Sequence, residues 1–323
     1  TTAPFSQINV DSFKSSIEIE ISRTKEEIDA ITNNTKAPTF ENTIEPLEYS
    51  GAQLDRITSI FFNLNSAETN ETIQKLAQEI SPMLTELSND IALNESLFKR
   101  VKEVYEQKDT LNLTTEQQTL LDKKFKSFSQ NGANLPAAKK EILRDIDKKL
   151  AKLSLTFGEN VLAETNKFQM HLTDEKDVAG IPSGALEAAK AIAKSENKEG
   201  WIFTLAYPSY IPFMKYADNR ALRQKLATAF DSKCFKGDEL DNQANVLEIA
   251  KLRHQRANLL GYETHAHFVL EERMAETPEK VTSFLNELLE KAKPAAEREF
   301  QQLSNFAKKL DGIEQLQSWD SSY

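Results

Sequence analysis

The stretch PAAKKEILRDIDKKLAKLSLTF (136–157) decides the fold class. Its apolar residues Ile142, Ile146, Leu150, Leu153 and Phe157 recur at three- or four-residue steps, the spacing that places side chains on one face of an α-helix. The same pattern continues toward Met170, so one long helix is predicted over 136–169. Upstream, Phe13, Ile17, Ile21, Ile28 and Ile31 mark another amphipathic helix from Val10 to about Asn33, with Asp11 placed to cap its start. At APTFENTIEPLE the chain restarts: Pro38 forces the residue before it out of helical geometry, and Thr39 with Asn42 supplies the polar groups of a new helix start. That second helix is expected to run to about Asn65. A third and fourth follow between Glu71 and Gln107, with Pro82 as the expected kink or break. In LTTEQQTLL, Thr114 and Gln117 are spaced as a capping box.

Downstream of Met170 the character changes. HLTDEKDVAGIPSGALEAAK carries the turn signal GIPSG, and GWIFTLAYPSYIPF is dense in aromatic and β-branched residues and prolines, which predicts a short strand pair with an irregular segment. Helices then resume over about 216–232, 241–260 and 264–274, and from Pro278 to 309 behind a Thr277 cap. No landmarks recur at a period of 30 to 50 residues, so a solenoid is not supported. The fold class expected is mainly α: an elongated multi-helix array with one small β element near 165–213. The expected division is a helical domain over 1–150, a long helix and β-containing connection over 151–213, and a further helical region over 214–323.

Composition agrees. The chain has 9 glycines in 323 residues, a share less than half the usual ~7%, and Glu, Lys, Leu and Ala are abundant. Its apolar fraction of 39% is adequate for a packed core. A formal charge of -10 with acidic and basic residues interspersed leaves no basic stripe for a phosphate backbone, so nucleic acid is not an expected partner. The strongest apolar run, ITSIFF (57–62), is far too short to span a bilayer. The first residue is Thr1, which implies that a leader or a few residues were removed. A cytoplasmic location is expected, or a periplasmic one if a leader preceded Thr1. Cys234 is the single cysteine; with no partner for a disulfide and no Cys-x-x-Cys motif, it reads as inert.

Chemistry-bearing motifs are sparse. None of the four histidines, at 171, 254, 265 and 267, opens a His-Glu-x-x-His zinc motif, and phosphate-binding glycine loops and a Gly-x-Ser-x-Gly elbow are absent. In ETHAHFVLEERMAETPEKV (263–281), His267 and Glu271 would share a helical face and offer two ligands to a divalent ion, short of the three that a zinc enzyme needs. Packing of one imidazole among Tyr262, Phe268 and Leu270 is the preferred reading there. Trp201, Tyr207 and Tyr210 beside prolines suggest either core packing around a hairpin or a rigid wall for an extended peptide. Adjacent carboxylates such as Glu271 with Glu272 read as solvated faces in so acidic a chain.

Four separated stretches together carry a family likeness: PTFENTIEPLE, GWIFTLAYPSYIPFMKYADNRALRQKL, GDELDNQANVLEIAKLRHQRANLLGYETHAHFVLEERMAETPEKV and LQSWDSSY. They resemble the zinc oligopeptidases that include peptidyl-dipeptidase (dipeptidyl carboxypeptidase), oligopeptidase A, thimet oligopeptidase and neurolysin, with the likeness nearest to bacterial peptidyl-dipeptidase. It runs through essentially the whole chain and is most specific over 200–276, where Thr204, Pro208, Asn219, Arg220, Asp241, Asn242, Arg253 and Gly261 stand in the expected order. The resemblance implies a two-lobed helical ellipsoid with a deep channel that admits short peptides. It also implies zinc in the complete enzyme, held by a His-Glu-x-x-His helix downstream of the Trp-Asp-x-x-Tyr segment, here Trp319, Asp320 and Tyr323. No zinc ligand or catalytic base is carried over to this chain, and none is expected to be bound by it.

The expectation is therefore the N-terminal half of such a peptidase, inactive alone, whose partners are short peptides and its own C-terminal half. Release of C-terminal dipeptides is the expected activity of the parent. Tyr207, Tyr210, Arg220 and Arg223 are the candidates for the substrate-facing wall, and 214–323 would be the first helices of the catalytic domain. Two other readings stay open: a stand-alone helical module that binds peptides or a partner without cutting them, and a small metal site on His267, Glu271 and a further ligand.

Overall fold

The computed structural model describes Ala3 and residues 5–323; Thr1, where loss of a leader was expected, lies outside the described residues. The chain is mainly helical, with one two-stranded antiparallel sheet among the described residues. It divides into two compact units. The first takes the chain up to Leu155 together with Ile249–Phe268, and the second takes Thr156–Glu248 with Val269–Tyr323.

In the first unit, α1 (Phe13–Thr32), α2 (Glu45–Tyr49), α3 (Ala52–Ala67), α4 (Glu71–Ala92), α5 (Glu95–Glu106) and α6 (Thr115–Gln130) precede the long α7 (Ala137–Lys167). The apolar stripe of α1 is buried as its spacing predicts. Phe13 and Ile17 pack with Leu54, Phe61, Ile73 and Ile80, the rings of Phe13 and Phe61 meeting edge-on at 5.2 Å. Ile28 and Ile31 join a second cluster with Phe40, Ile44, Leu97 and Phe128. Arg100 is buried beneath the loop that joins α1 to α2. Its guanidinium donates to the carbonyl of Asn34 at 2.8 Å, Asn42 Oδ1 at 3.1 Å and Thr43 Oγ1 at 3.2 Å, which fixes a loop that would otherwise hold unpaired carbonyls.

Several boundaries differ from expectation for identifiable reasons. Asp11 does not cap α1: a 3-10 turn over Val10–Ser12 intervenes, and the Asn9 side chain accepts from the Asp11 N–H at 3.0 Å. The Thr39–Asn42 capping box forms, but it opens a π-helical turn over Phe40–Ile44. The helix that follows stops at Tyr49, because Gly51 takes a left-handed φ of 74° before α3 begins. Pro82 neither breaks nor ends α4. The buried residues Ile73, Ala77, Ile80 and Leu87 lie on both sides of it, and their packing offsets the one lost hydrogen bond. The break comes instead at Asn94, whose side chain caps α5 through the Leu97 N–H at 2.9 Å. The Thr114–Gln117 capping box is present as read. In α7 the buried seam is Leu143 and Ile146, while Ile142 and Phe157 are exposed.

The second unit is built around β1 (Met170–Leu172) and β2 (Trp201–Phe203), in register Met170↔Phe203, His171↔Ile202 and Leu172↔Trp201. Gly200 makes the approach possible. It has φ 83°, and a Cβ on it would lie 2.2 Å from the Leu172 carbonyl oxygen. Between the strands runs α8 (Ser183–Ser195), which the turn signal at GIPSG concealed. The strand pair lies within the expected 165–213, β2 pairing with the earlier β1, while residues after Ala206, expected to be irregular, form α9 (Tyr207–Tyr216). Pro208 lies in the first turn of α9, where no N–H is needed. Next in the chain come α10 (Arg220–Asp231), α11 (Gln243–Leu259), whose residues from Ile249 onward belong to the first unit together with most of α12 (His265–Leu270), and, again in the second unit, α13 (Pro278–Asp311). The core gathers Met170, Phe203, Leu205, Phe213, Met214 and Leu226, with Trp319 packed against it.

Candidate functional site

Asn219 begins the site. Its side-chain oxygen accepts from the Leu222 N–H at 3.2 Å, capping α10, and its amide donates to Asp177 Oδ1 at 2.9 Å. With the helix start fixed, Arg220 and Arg223 fall three residues apart on one face of the first turn. Two cations at a helix N-terminus face the positive end of the helix dipole, which disfavours them without an anion. That anion is Asp320, almost 100 residues later. Arg220 grips it with two bonds, Nε to Oδ1 at 2.8 Å and Nη2 to Oδ2 at 2.7 Å. Arg223 adds Nη2 to Oδ1 at 3.3 Å, and the Gln317 N–H donates to Oδ2 at 3.0 Å.

Arg223 is itself 1% exposed. Its other donors go to the carbonyls of Ala217 at 2.7 Å and Trp319 at 3.2 Å, and its guanidinium lies 3.9 Å from the centre of the Tyr323 ring. The Tyr323 hydroxyl donates to Asp218 Oδ1 at 3.1 Å. Burial opposes ionisation of Asp320, but the bonds from Arg220, the Gln317 N–H and Arg223 outweigh it and hold the carboxyl below its usual range. The result is a clasp that holds the Trp319–Tyr323 segment on α10.

The four candidates for a substrate wall thus fall into two pairs. Arg220 and Arg223 converge on Asp320, Arg223 fully buried with its remaining donors on backbone carbonyls and Arg220 partly exposed. Tyr207 and Tyr210 meet at Phe230, with ring centres 5.8 and 4.2 Å away. Tyr207 is largely exposed; burial beside Asp231 pushes the Tyr210 hydroxyl above its usual range. Nothing in the sequence near these arginines points to Asp320 or Tyr323 as their partners, because the pairing spans about a third of the chain.

The histidine pair has other roles. Helix α12 ends at Leu270, short of the expected 274, so Glu271 does not continue the helical face of His267. His267 Nδ1 lies 2.8 Å from Thr264 Oγ1, and its Nε2 is 3.9 Å from Glu263. His265 packs beside Phe268 at 6.2 Å, and burial, with Arg253 and Arg256 nearby, lowers its pKa. Among the described residues no three His, Cys, Asp or Glu side chains are grouped to hold a metal ion. The donor set of the described residues therefore does not fit a catalytic zinc.

Two segments of the chain match known families. Residues 17–140 match the neurolysin/thimet oligopeptidase N-terminal domain, and residues 213–323, which contain the whole clasp, match peptidase family M3. Over these two segments the chain is similar to the M3 oligopeptidases. Among curated M3 relatives, oligopeptidase A of Escherichia coli (strain K12) is 33% identical over 99% of this chain and 48% of its own length. Oligopeptidase A of Salmonella typhimurium is 32% identical with the same coverage. Dipeptidyl carboxypeptidase of Escherichia coli (strain K12) is 31% identical over 99% of this chain and 47% of its own. The chain spans about half the length of these M3 relatives, and identity alone does not separate the two kinds.

Proposed function

We propose that this chain is the N-terminal part of an M3 zinc peptidase that hydrolyses short oligopeptides, most simply by releasing C-terminal dipeptides, and that the chain alone does not hydrolyse them. The observation that carries the reading is the order of the two matches, an oligopeptidase N-terminal domain followed by a peptidase family M3 segment. Zinc would supply the Lewis acid and the activated water of such a reaction, and no residue of this chain takes part in holding it. The role of the chain is confinement. Its helices form one wall of a channel that an unfolded peptide enters and a folded protein cannot, with Tyr207 and Tyr210 on that wall.

Helix α13 supports a docking role. It is 34 residues long, and Phe284, Leu288, Phe300, Leu303, Phe306 and Leu310 along it are exposed. Burying each such side chain contributes roughly 1.5–3 kcal/mol, so this row is the surface on which the rest of the parent protein settles. No helix among the described residues is long and apolar enough to cross a membrane. The test is zinc stoichiometry paired with hydrolysis of a short fluorogenic peptide by the purified chain. The expected result is no tightly held zinc and no chelator-sensitive cleavage. About one bound zinc per chain, with cleavage lost on chelation, overturns the reading.

A further inference from the structure

A cavity of about 380 Å³ lies in the second unit among Phe157 and Val161 of α7, Cys234 and Phe235 after α10, and Val246 and Leu247 of α11. Its size and largely apolar wall are those of a pocket for a small ligand or a large side chain. The polar groups around it are already satisfied. Asn242, buried, donates to the Phe157 carbonyl at 3.1 Å and accepts from Asn160 at 3.0 Å and Asn245 at 2.8 Å.

The nearby charges are also engaged. Lys233 lies 3.8 Å over the Phe230 ring, and Lys236 pairs with Glu164. Asp241 accepts from the N–H groups of Gly237 and Gln243, which hold its carboxyl down at about 2. Lys233 lines the cavity with its ammonium over the Phe230 ring, and a charged group entering the largely apolar wall would lose hydration that the few polar atoms there do not replace. The wall is also built with local strain. Cys234 is buried at φ 56°, in the left-handed region that non-glycine residues rarely adopt, and its carbonyl accepts from the Asn242 N–H at 2.8 Å. Strain of this kind persists where the surroundings fix it, and it gathers at binding sites.

We propose that this cavity binds an uncharged aromatic or branched aliphatic side chain of a short peptide, an assignment that rests on the oligopeptidase reading above. Apolar walls reject lysine-like and acidic side chains, while Phe235 and Leu247, both well exposed at the mouth, flank the peptide backbone that carries the side chain. The cavity selects for a bulky apolar residue without contributing to cleavage.

Cys234 is the single cysteine, so its alkylation by iodoacetamide reports on the cavity in the full 323-residue chain. N-acetyl-phenylalaninamide is expected to slow alkylation several-fold and saturably, and N-acetyl-lysinamide to leave the rate unchanged. Saturation-transfer NMR on the same compounds gives a second readout that does not need a reactive thiol. V246W, which fills the mouth, is expected to remove the transfer to N-acetyl-phenylalaninamide while circular dichroism stays as in the parent chain.

Absence of both protection and transfer overturns the proposal. So does an equal response to the lysine compound, persistence of transfer in folded V246W, or binding of toluene without binding of the capped amino acid. Because binding is read without cleavage, a chain that proves unrelated to peptide hydrolysis shows itself in the fluorogenic assay, separately from this result.

Discussion

Arg223 and Asp320 meet at 3.3 Å, 97 residues apart in sequence, with both side chains almost fully buried. An ion pair so deeply placed is not evidence of large net stability, since desolvation of both partners opposes their attraction. Its consequence appears when one partner is removed. The remaining guanidinium would stay buried without its anion at the start of α10.

Asp320→Ala is therefore expected to destabilise the chain by about 3–5 kcal/mol, the usual result of orphaning a buried charge. Arg220→Ala should lose less, since that side chain is partly exposed and a solvent-facing pair contributes up to about 1 kcal/mol. Urea unfolding followed by Trp fluorescence measures both, because Trp319 sits within the clasp and packs on the core. Equal, small losses in the two variants would mean that the clasp does not hold the segment.

The pH dependence has a definite sign. The folded-state pKa of Asp320 is depressed, so its stabilisation is fully present above the unfolded-state value of about 3.9 and is lost as pH falls through the lower folded value. Asp320→Asn should flatten the acid limb of the stability curve in that window, while lowering stability at neutral pH. A variant whose acid limb runs parallel to that of the parent chain would refute the assignment.

Gly200→Ala tests the strand pair. The added Cβ would meet the Leu172 carbonyl oxygen at 2.2 Å in a residue at φ 83°, so the β1–β2 register must shift. A loss of about 1–3 kcal/mol is expected from the backbone conformation alone, before the clash is counted. Thermal melting should show it, and hydrogen exchange should place the loss of protection at 170–172 and 201–203.

The exposed row on α13 should make the chain self-associate as concentration rises. Replacing Phe284 and Leu288 by Glu is expected to give a monomer by light scattering, with the melting temperature changed little because both side chains are exposed. A parent chain that stays strictly monomeric at high concentration would remove this row as a docking surface.

Much of this protein was legible in the sequence because its information is local. Helix faces such as Phe13, Ile17, Ile28 and Ile31, and caps at Thr114 and Thr277, depend on residues three or four apart, and the low glycine content made a helical fold the natural outcome. The family likeness was legible for the same reason, in short stretches whose order is preserved. Pro82 and Pro208 mark where local reading failed, since packing on both sides of the first, and a first-turn position for the second, leave helices intact. The candidate site was half visible: Arg220 and Arg223 could be named, but nothing near them foretold Asp320 or Tyr323. The tertiary structure alone decided that β1 pairs with a strand about 30 residues later, that Cys234 lines a cavity and that Asp320 closes on α10. Each depends on a contact between residues distant in sequence, whose stability comes from burial and charge pairing that form only once the chain has folded.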